Sequence, residues 1–251
     1  MDDGLMQTKD HAIRVNAQRD LSRYDPGVWS QLKTVRISTQ HLARNRIISA
    51  KRKHPANMMI DVLRTRVLQA LKDHGWRHVA VTSPTRGCGK TFLAANLAVS
   101  LARGDSRKVI LMDMDLQRPD LANTFGIANP PSMKDYLSGY TLPEEHFLRA
   151  GNNLALGLNS SAEVNGSELL LEEVAGEVLQ EMDDTLAPDV VLYDLPPALE
   201  HDDVIAILPH VDCVLLVAGG GMTTAKHVRE VERLIDDHKP LLGVVLNRGE
   251  G

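Results

Sequence analysis

The sequence has few cysteines, few aromatic residues and no long apolar run. Its two cysteines, Cys88 and Cys213, are far apart among 251 residues and belong to no CxxC or Cys/His pattern. This argues against a disulfide framework and a zinc site, and it favours a reducing compartment. No stretch approaches the roughly 18 consecutive apolar residues of a membrane span, and the start, MDDGLMQTKD, lacks a signal-peptide layout. We therefore expect a soluble cytoplasmic protein.

The charge balance is slightly acidic. The formal net charge is −5 and the pI is about 6.0, whereas nucleic-acid-binding proteins usually show a basic face, so we expect no nucleic-acid partner. Hydrophobic residues make up 43% of the chain and aromatic residues only 4%, so aliphatic side chains must fill the interior. That composition is typical of parallel sheets whose strands are buried on both faces.

The first part of the chain differs from the rest in its apolar spacing. Residues 1–55 are polar and aperiodic, which predicts a flexible or partly helical N-terminal arm, and residues 56–251 form the expected domain. The end of the arm is locally basic. This basic segment is either a solvated linker or a contact site for an anionic lipid or an acidic partner segment. The basic residues are Arg44, Arg46, Lys51, Arg52 and Lys53.

The rest of the chain alternates helical and strand-like patterns. An amphipathic helix is predicted from Asn57 to a stop at Gly75. The alternation predicts an α/β fold, with a mostly parallel, doubly wound sheet flanked by helices. For the region 120–152 we expect short helices and loops over the sheet edge. The predicted strands are 79–82, 109–112, 154–158, 190–193, 213–217 and 242–246, and the predicted crossover helices are 91–102, 169–182 and 224–237.

The strongest local signal is a glycine-bearing loop between a predicted strand and a predicted helix, VAVTSPTRGCGKT at 79–91. Gly87 and Gly89 let backbone N–H groups turn toward phosphate oxygens, and the helix start adds a favourable dipole. Lys90 can reach the β- and γ-phosphates, and the Thr91 hydroxyl can ligate Mg²⁺. The order of strand, loop and helix predicts a phosphate-binding loop rather than a chance GxGKT turn.

One residue of this loop departs from the usual pattern, and two others have two possible interpretations each. Pro84 replaces the first glycine of the usual GxxxxGK[ST] pattern. Arg86 is either a phosphate contact or an exposed, solvated side chain. Cys88 is either a redox-sensitive thiol beside phosphate-directed N–H groups or a small residue that fills the loop.

Three carboxylates follow two of the predicted strands. Asp113 and Asp115 are spaced i, i+2 at the end of one strand and so point to the same side, and Asp194 ends another. Ligands bind at the carboxyl ends of strands in such sheets. One acid there can be a mere helix cap, but three of them with a lysine and a hydroxyl indicate a site for a triphosphate and Mg²⁺. Phosphoryl transfer needs such positioning and charge neutralisation.

These residues resemble the bacterial tyrosine kinases (BY-kinases) that regulate capsule and exopolysaccharide synthesis, within the deviant-Walker P-loop ATPases that include the Min and Par proteins. The similarity runs from about residue 57 to residue 247. The segments that carry it are LRT at 63–65, VTSP at 81–84, GCGKT at 87–91, NLA at 96–98, DMDLQRP at 113–119, DYLSG at 135–139, NGSELL at 165–170, DLPP at 194–197 and GVVLN at 243–247.

The resemblance implies a role for each candidate residue. Asp113 and Asp115 belong to the Walker A′ motif, Asp113 being the carboxylate nearest the acceptor and Asp115 supporting the metal site. These two acids and Lys90 form the implied catalytic set, and Asp194 of Walker B holds Mg²⁺ with Thr91 and Asp113. Asn247 is implied as the adenine contact. The implied nucleotide-binding set is Gly87, Cys88, Gly89, Lys90, Thr91, Phe92 and Asn247.

The resemblance also implies an ATP- and Mg²⁺-dependent, tyrosine-kinase-like regulator of polysaccharide synthesis or export. It implies a cytoplasmic protein, peripheral at the inner face of the membrane through a membrane-anchored polysaccharide chain-length regulator. The rival is a nucleotide-switched ATPase regulator of the Min/Par type. The second lysine that the Min/Par branch carries early in its phosphate loop aligns with Thr85 here, which argues against this rival. The C-terminal tyrosine cluster of the kinases has no counterpart in the last residues here, which favours it. The four tyrosines are Tyr24, Tyr136, Tyr140 and Tyr193.

The ring assembly of the BY-kinases implies a homo-oligomer. The glutamate and first arginine of the family's interface motif align with Met58 and Asp61, and Arg64 keeps the third position.

Overall fold

The protein forms a twisted sheet covered on both faces by helices. A computed structural model describes residues 27–50, 57–104, 107–236 and 238–247. Within these residues the strands are β1 (Lys33–Val35), β2 (His78–Thr82), β3 (Val109–Asp113), β4 (Leu148–Ala150), β5 (Leu154–Gly157), β6 (Val190–Asp194), β7 (Cys213–Gly219) and β8 (Leu241–Asn247).

The helices connect most of these strands. They are α1 (Val28–Gln31), α2 (Thr39–Arg44), α3 (Asn57–His74), α4 (Lys90–Leu101), α5 (Leu121–Phe125), α6 (Met133–Leu137), α7 (Pro143–His146), α8 (Gly166–Leu171), α9 (Glu173–Leu186), α10 (Asp203–Ile207) and α11 (Ala225–Asp236), with 3₁₀ turns at Ile48–Ala50 and Leu208–His210. No helix in the described ranges is both long and apolar enough to cross a membrane.

The strand order is β1-β4-β5-β3-β6-β2-β7-β8. All neighbouring pairs are parallel except β4 and β5, which pair antiparallel. The predicted mostly parallel, doubly wound α/β fold is confirmed, and all six predicted strands are present. The structure adds β1 and β4, which the sequence did not reveal because three residues are too few to establish a two-residue period.

Two apolar cores lie on opposite faces of the sheet because successive strand residues point to opposite sides. On β2, Ala80 packs into one core, and Val79 and Val81 pack into the other. Helices α9 and α11 cover the first face, and helices α3 and α4 cover the second. The central strands β3, β6 and β7 are buried along their full length, as the aliphatic composition predicted.

Residues 27–50 of the expected flexible or partly helical arm contain two short helices and pack into both cores. Trp29 is buried in the core beneath α9, and its indole Nε1–H donates to the Asn152 carbonyl at 2.8 Å. Leu42 and Ile47 are buried in the opposite core. These apolar residues are too widely separated along the chain to form a period, so only the tertiary contacts show that the segment joins the domain. The remaining parts of the predicted arm, including Lys51, Arg52 and Lys53, lie outside the described residues.

The prediction of one continuous helix over 169–182 is wrong. The chain forms α8 and α9 there, and Glu172 between them has extended backbone angles, φ −68° and ψ 140°. The break lets α8 pack against α10 while α9 lies over the sheet core. Apolar spacing alone did not show it because both helices contribute leucines to the same buried surface.

Candidate functional site

The glycine-bearing loop joins the carboxyl end of β2 to the start of α4. Gly87 has φ +81° and Gly89 has φ +87°, both in the left-handed region that favours glycine. Gly89 is the N-cap of α4, and a Cβ atom at this position would collide with the side-chain amide of Asn247. The two glycines therefore allow the sharp turn that brings the loop close to the end of β8.

Cys88 and Asn247 meet at the back of this loop. The Asn247 Nδ2 amide donates to the Cys88 carbonyl at 2.8 Å. The Cys88 sulfur is buried, 3.5 Å from the Thr223 hydroxyl and 3.8 Å from the Thr85 hydroxyl. The structure thus favours the loop-filling alternative for Cys88 and shows Asn247 supporting the loop. Contact of Asn247 with adenine stays a prediction.

Lys90 lies at the first position of α4 and is enclosed by acids. Its Nζ donates to Asp115 Oδ2 at 2.7 Å and is 3.8 Å from Asp194 Oδ1. The same Nζ is 3.4 Å from the Thr91 hydroxyl. Burial by itself lowers the pKa of Lys90, but the nearby Asp194, Asp115 and Asp113 outweigh it, so the pKa lies above its ordinary value and the amine stays charged.

Asp113 and Asp194 are buried side by side. They are register partners at the ends of β3 and β6. Asp113 Oδ2 accepts the Leu121 N–H at 2.9 Å, while Asp113 Oδ1 and both Asp194 oxygens accept no hydrogen bond from the described residues. Burial, followed by the neighbouring Asp194, raises the pKa of Asp113 well above its usual range. Burial raises the pKa of Asp194 to about 6, against the opposing effect of Lys90.

These oxygens fit a hard divalent cation. Mg²⁺ takes oxygen ligands and usually binds through one or two carboxylates together with phosphates and waters. The carboxylate oxygens of Asp113 and Asp194 and the Thr91 hydroxyl are ligands of that kind. Within the described ranges, no group of three or more His, Cys, Asp or Glu side chains is arranged to hold a metal by itself. A Mg²⁺ ion here would therefore need phosphate or water to complete its ligands.

An open cleft of about 300 Å³ lies over Lys90, Thr91 and Phe92. Of the two Walker A′ acids, Asp115 lines this cleft, whereas Asp113 has no exposed surface. The prediction that Asp113 is the carboxylate nearest the acceptor stays a prediction. The sequence patterns predicted no role for three other charged or titratable residues of the cleft wall, although their places after β3 and β6 could have indicated one. They are Arg118, Asp120 and His201.

Two of the three interface-motif positions on α3, Asp61 and Arg64, form ion pairs within the chain. Asp61 accepts a hydrogen bond from the Ser100 hydroxyl at 2.9 Å and pairs with Arg103 at 3.1 Å. Arg64 is 3.6 Å from the same carboxylate. Met58 is 74% exposed. Homo-oligomer formation stays a prediction.

Comparison with known proteins connects this loop and these acids to a family. The profile of the CobQ/CobB/MinD/ParA nucleotide binding domain matches residues 79–251. The chain belongs to this family. Membership in the CobQ/CobB/MinD/ParA family agrees with the α/β fold and confirms the predicted place among the Min- and Par-like ATPases.

Within this family, the chain is similar to bacterial tyrosine kinases, as the motifs predicted. It is 28% identical to tyrosine-protein kinase etk of Escherichia coli K12 over 249 residues, which are 96% of this chain and 34% of that protein. It is 29% identical to tyrosine-protein kinase YwqD of Bacillus subtilis over 209 residues, which are 82% of this chain and 86% of that protein.

A solved structure shows the same likeness. The kinase domain of the Escherichia coli tyrosine kinase ETK shares 29% identity with a TM-score of 0.70, covering 76% of this chain and 74% of that one. The chain spans about a third of the length of the etk protein.

Proposed function

We propose that the chain is an ATP- and Mg²⁺-dependent, tyrosine-kinase-like phosphotransferase. The observation that supports this most is the position of Lys90. Its amine lies at the helix start next to the glycine loop and is balanced by Asp115 at 2.7 Å and Asp194 at 3.8 Å. A cation held by carboxylates in a phosphate-binding loop can turn to phosphate oxygens when a nucleotide arrives, because those oxygens are stronger anionic acceptors.

The proposed division of roles follows from burial and charge. Backbone N–H groups of the loop and Lys90 bind the phosphates, and Thr91, Asp113 and Asp194 supply oxygens for Mg²⁺. When bound, Mg²⁺ neutralises charge on the phosphates. In the transfer, the tyrosine hydroxyl oxygen forms a bond to the γ-phosphorus, the bond from that phosphorus to the β,γ-bridging oxygen breaks, and ADP leaves. A carboxylate of the Asp113 and Asp115 pair accepts the hydroxyl proton.

The acceptor tyrosine must have an exposed side chain. Tyr136 and Tyr193 have no exposed surface, whereas Tyr140 is 44% exposed. Tyr24 lies outside the described residues. A buried phenol cannot reach a cleft in another molecule, so among the tyrosines of the described residues only Tyr140 is a candidate for phosphorylation by another copy. Tyrosines of other proteins are the other candidate acceptors.

The regulatory part of the proposal rests on the kinase relatives. We infer that the chain acts in the cytoplasm at the inner face of the membrane, through a membrane-anchored polysaccharide chain-length regulator, and that it controls capsular or exopolysaccharide production. A partner raises turnover only to the extent that it binds the active conformation more tightly than the inactive one. Turnover should therefore rise when the cytoplasmic tail of such a regulator is added.

The test measures transfer and hydrolysis on the same samples. The protein is incubated with γ-labelled ATP, Mg²⁺ and a tyrosine-containing polymer, with and without the regulator tail, and both phosphotyrosine and released phosphate are measured. Lys90→Met should abolish both signals, whereas the control Lys134→Met, at an exposed ion pair with Glu163, should keep them. Phosphate release without phosphotyrosine would support the alternative, a nucleotide-switched ATPase regulator. Phosphate release unaffected by Lys90→Met would contradict both.

A further inference from the structure

Arg86 of the phosphate loop is held by the segment that follows β6. Its backbone N–H donates to Glu200 Oε1 at 2.9 Å, and its Nε lies 2.6 Å from Glu200 Oε2. Its Nη2 lies 3.0 Å from His201 Nε2. One carboxylate therefore engages both the backbone and the side chain of a loop residue. Arg86 is therefore exposed, as one of the two alternatives expected, but its side chain is paired with Glu200 and His201.

The position of Arg86 makes it a candidate phosphate ligand. Arg86 and His201 line the same cleft as Lys90 and Thr91. Between Ser83 and Gly89, Arg86 is the only charged residue in the sequence. Apart from Lys90, it is therefore the one cation that the loop itself can offer to a nucleotide.

The bond to Glu200 is of a kind that a phosphate can displace. The side chains of Arg86 and Glu200 are 42% and 31% exposed, and exposed ion pairs are weak because water and salt screen them. A terminal phosphate carries more negative charge than a carboxylate, and arginine binds phosphate in a bidentate manner. Glu200 and the phosphate would compete for the same donor groups.

We propose that Arg86 contacts the terminal phosphate of ATP and that Glu200 is the partner it leaves when ATP binds. This inference rests on the proposed nucleotide-binding function. Because ADP lacks the γ-phosphate, it competes much less well with Glu200 for the Arg86 side chain. Arg86 then makes the site prefer ATP to ADP, and Glu200 reduces that preference by competing for the arginine.

The experiment compares two nucleotides on matched variants. The dissociation constants of Mg·ADP and of a non-hydrolysable Mg·ATP analogue are measured by titration for the wild-type chain, Arg86→Gln, Glu200→Gln and the double variant. Arg86→Gln should raise the dissociation constant of the ATP analogue by about tenfold and that of ADP by less than about twofold. Glu200→Gln should lower the dissociation constant of the ATP analogue. This gain in affinity should disappear in the double variant because Glu200 acts through Arg86. The control Lys134→Gln, which removes a cation from an ion pair away from the cleft, should change neither constant.

Two results would overturn the inference while leaving the proposed function intact. Equal weakening of both nucleotides by Arg86→Gln would show that Arg86 only shapes the loop. Unchanged constants would show that Arg86 stays with Glu200 in the nucleotide complex. A wild-type chain that binds neither nucleotide would overturn the proposed function as well. Thermal unfolding identifies a variant that fails to fold, and Arg86→Lys, which keeps the charge, then replaces Arg86→Gln and should keep part of the preference for the analogue.

Discussion

Asp113 and Asp194 occupy the same register position on the neighbouring strands β3 and β6. Burial destabilises the ionised state of both carboxylates, and Asp194 adds to this effect at Asp113. Lys90, 3.8 Å from Asp194, offsets only part of that cost, since the pKa values of both acids remain raised. Such an arrangement is expensive for folding and is expected where a cation or phosphoryl chemistry requires it.

We predict that Asp113→Asn and Asp194→Asn each lower turnover by at least about a hundredfold without lowering the melting temperature. A raised carboxyl pKa means that the ionised group is less favourable in the fold than in the unfolded chain at neutral pH, so removing its charge does not destabilise the fold. Turnover and thermal unfolding measured on the same samples test this. Loss of activity together with a fall in melting temperature of several degrees would show that the acids support the fold.

The second prediction concerns the close approach of Gly89 to Asn247. Gly89→Ala and Gly151→Ala both place a Cβ at positive φ, +87° and +75° respectively, which costs about 1 to 2 kcal/mol. Only at Gly89 would the new carbon meet another side chain, because the space around Gly151 is open. Urea unfolding should therefore show a larger loss of stability for Gly89→Ala. Equal losses would mean that Asn247 moves aside at no cost.

The third prediction tests whether residues 27–50 belong to the core. Trp29→Ala should lower the free energy of unfolding by about 3 kcal/mol, because it leaves a cavity and an unpaired Asn152 carbonyl. The control Leu171→Ala, at a position 72% exposed, should change it by less than about 0.5 kcal/mol. Chemical denaturation measures both. Similar small effects would indicate that the segment contributes little to the stability of the sheet.

The fourth prediction is a pH dependence of stability from His146. This side chain is buried against Tyr136 and Phe147, and burial lowers its pKa to about 3. Because the unfolded chain binds a proton near pH 6.5 and the folded chain does not, the stabilising contribution of neutral His146 is present above that pH and is lost as the pH falls toward 3. The expected loss from this residue is about 1.4 kcal/mol per pH unit well below 6.5.

The measurement for His146 is a difference between two chains. The free energy of unfolding is determined in urea at pH 7 and pH 5 for the wild type and for His146→Phe, which keeps an aromatic ring but cannot titrate. Between these pH values the wild type should lose about 2 kcal/mol more than the variant. Equal losses would show that His146 is protonated inside the fold or that other groups cause the whole dependence.

Much of the nucleotide site was predictable from sequence because its residues occur in short, local patterns. Gly87, Gly89, Lys90 and Thr91 are close together in the chain, and a strand before them and a helix after them are enough to determine their relative positions. Asp115 and Asp194 were predictable as strand-end acids because the carboxyl ends of parallel strands meet at one edge of the sheet. The break at Glu172 was not predictable, because packing against α10 rather than local periodicity decides it.

The sequence by itself determined the α/β class, the six main strands and the phosphate loop, because these depend on periodicity and on residues within a few positions of each other. Only the tertiary structure decided that Trp29 joins the core, that Asn247 supports the loop at Cys88 and that Glu200 holds Arg86. Each of these contacts joins residues more than a hundred positions apart. Such pairs have no mutual spacing to detect in the sequence, and their partners are set by strand order and helix packing.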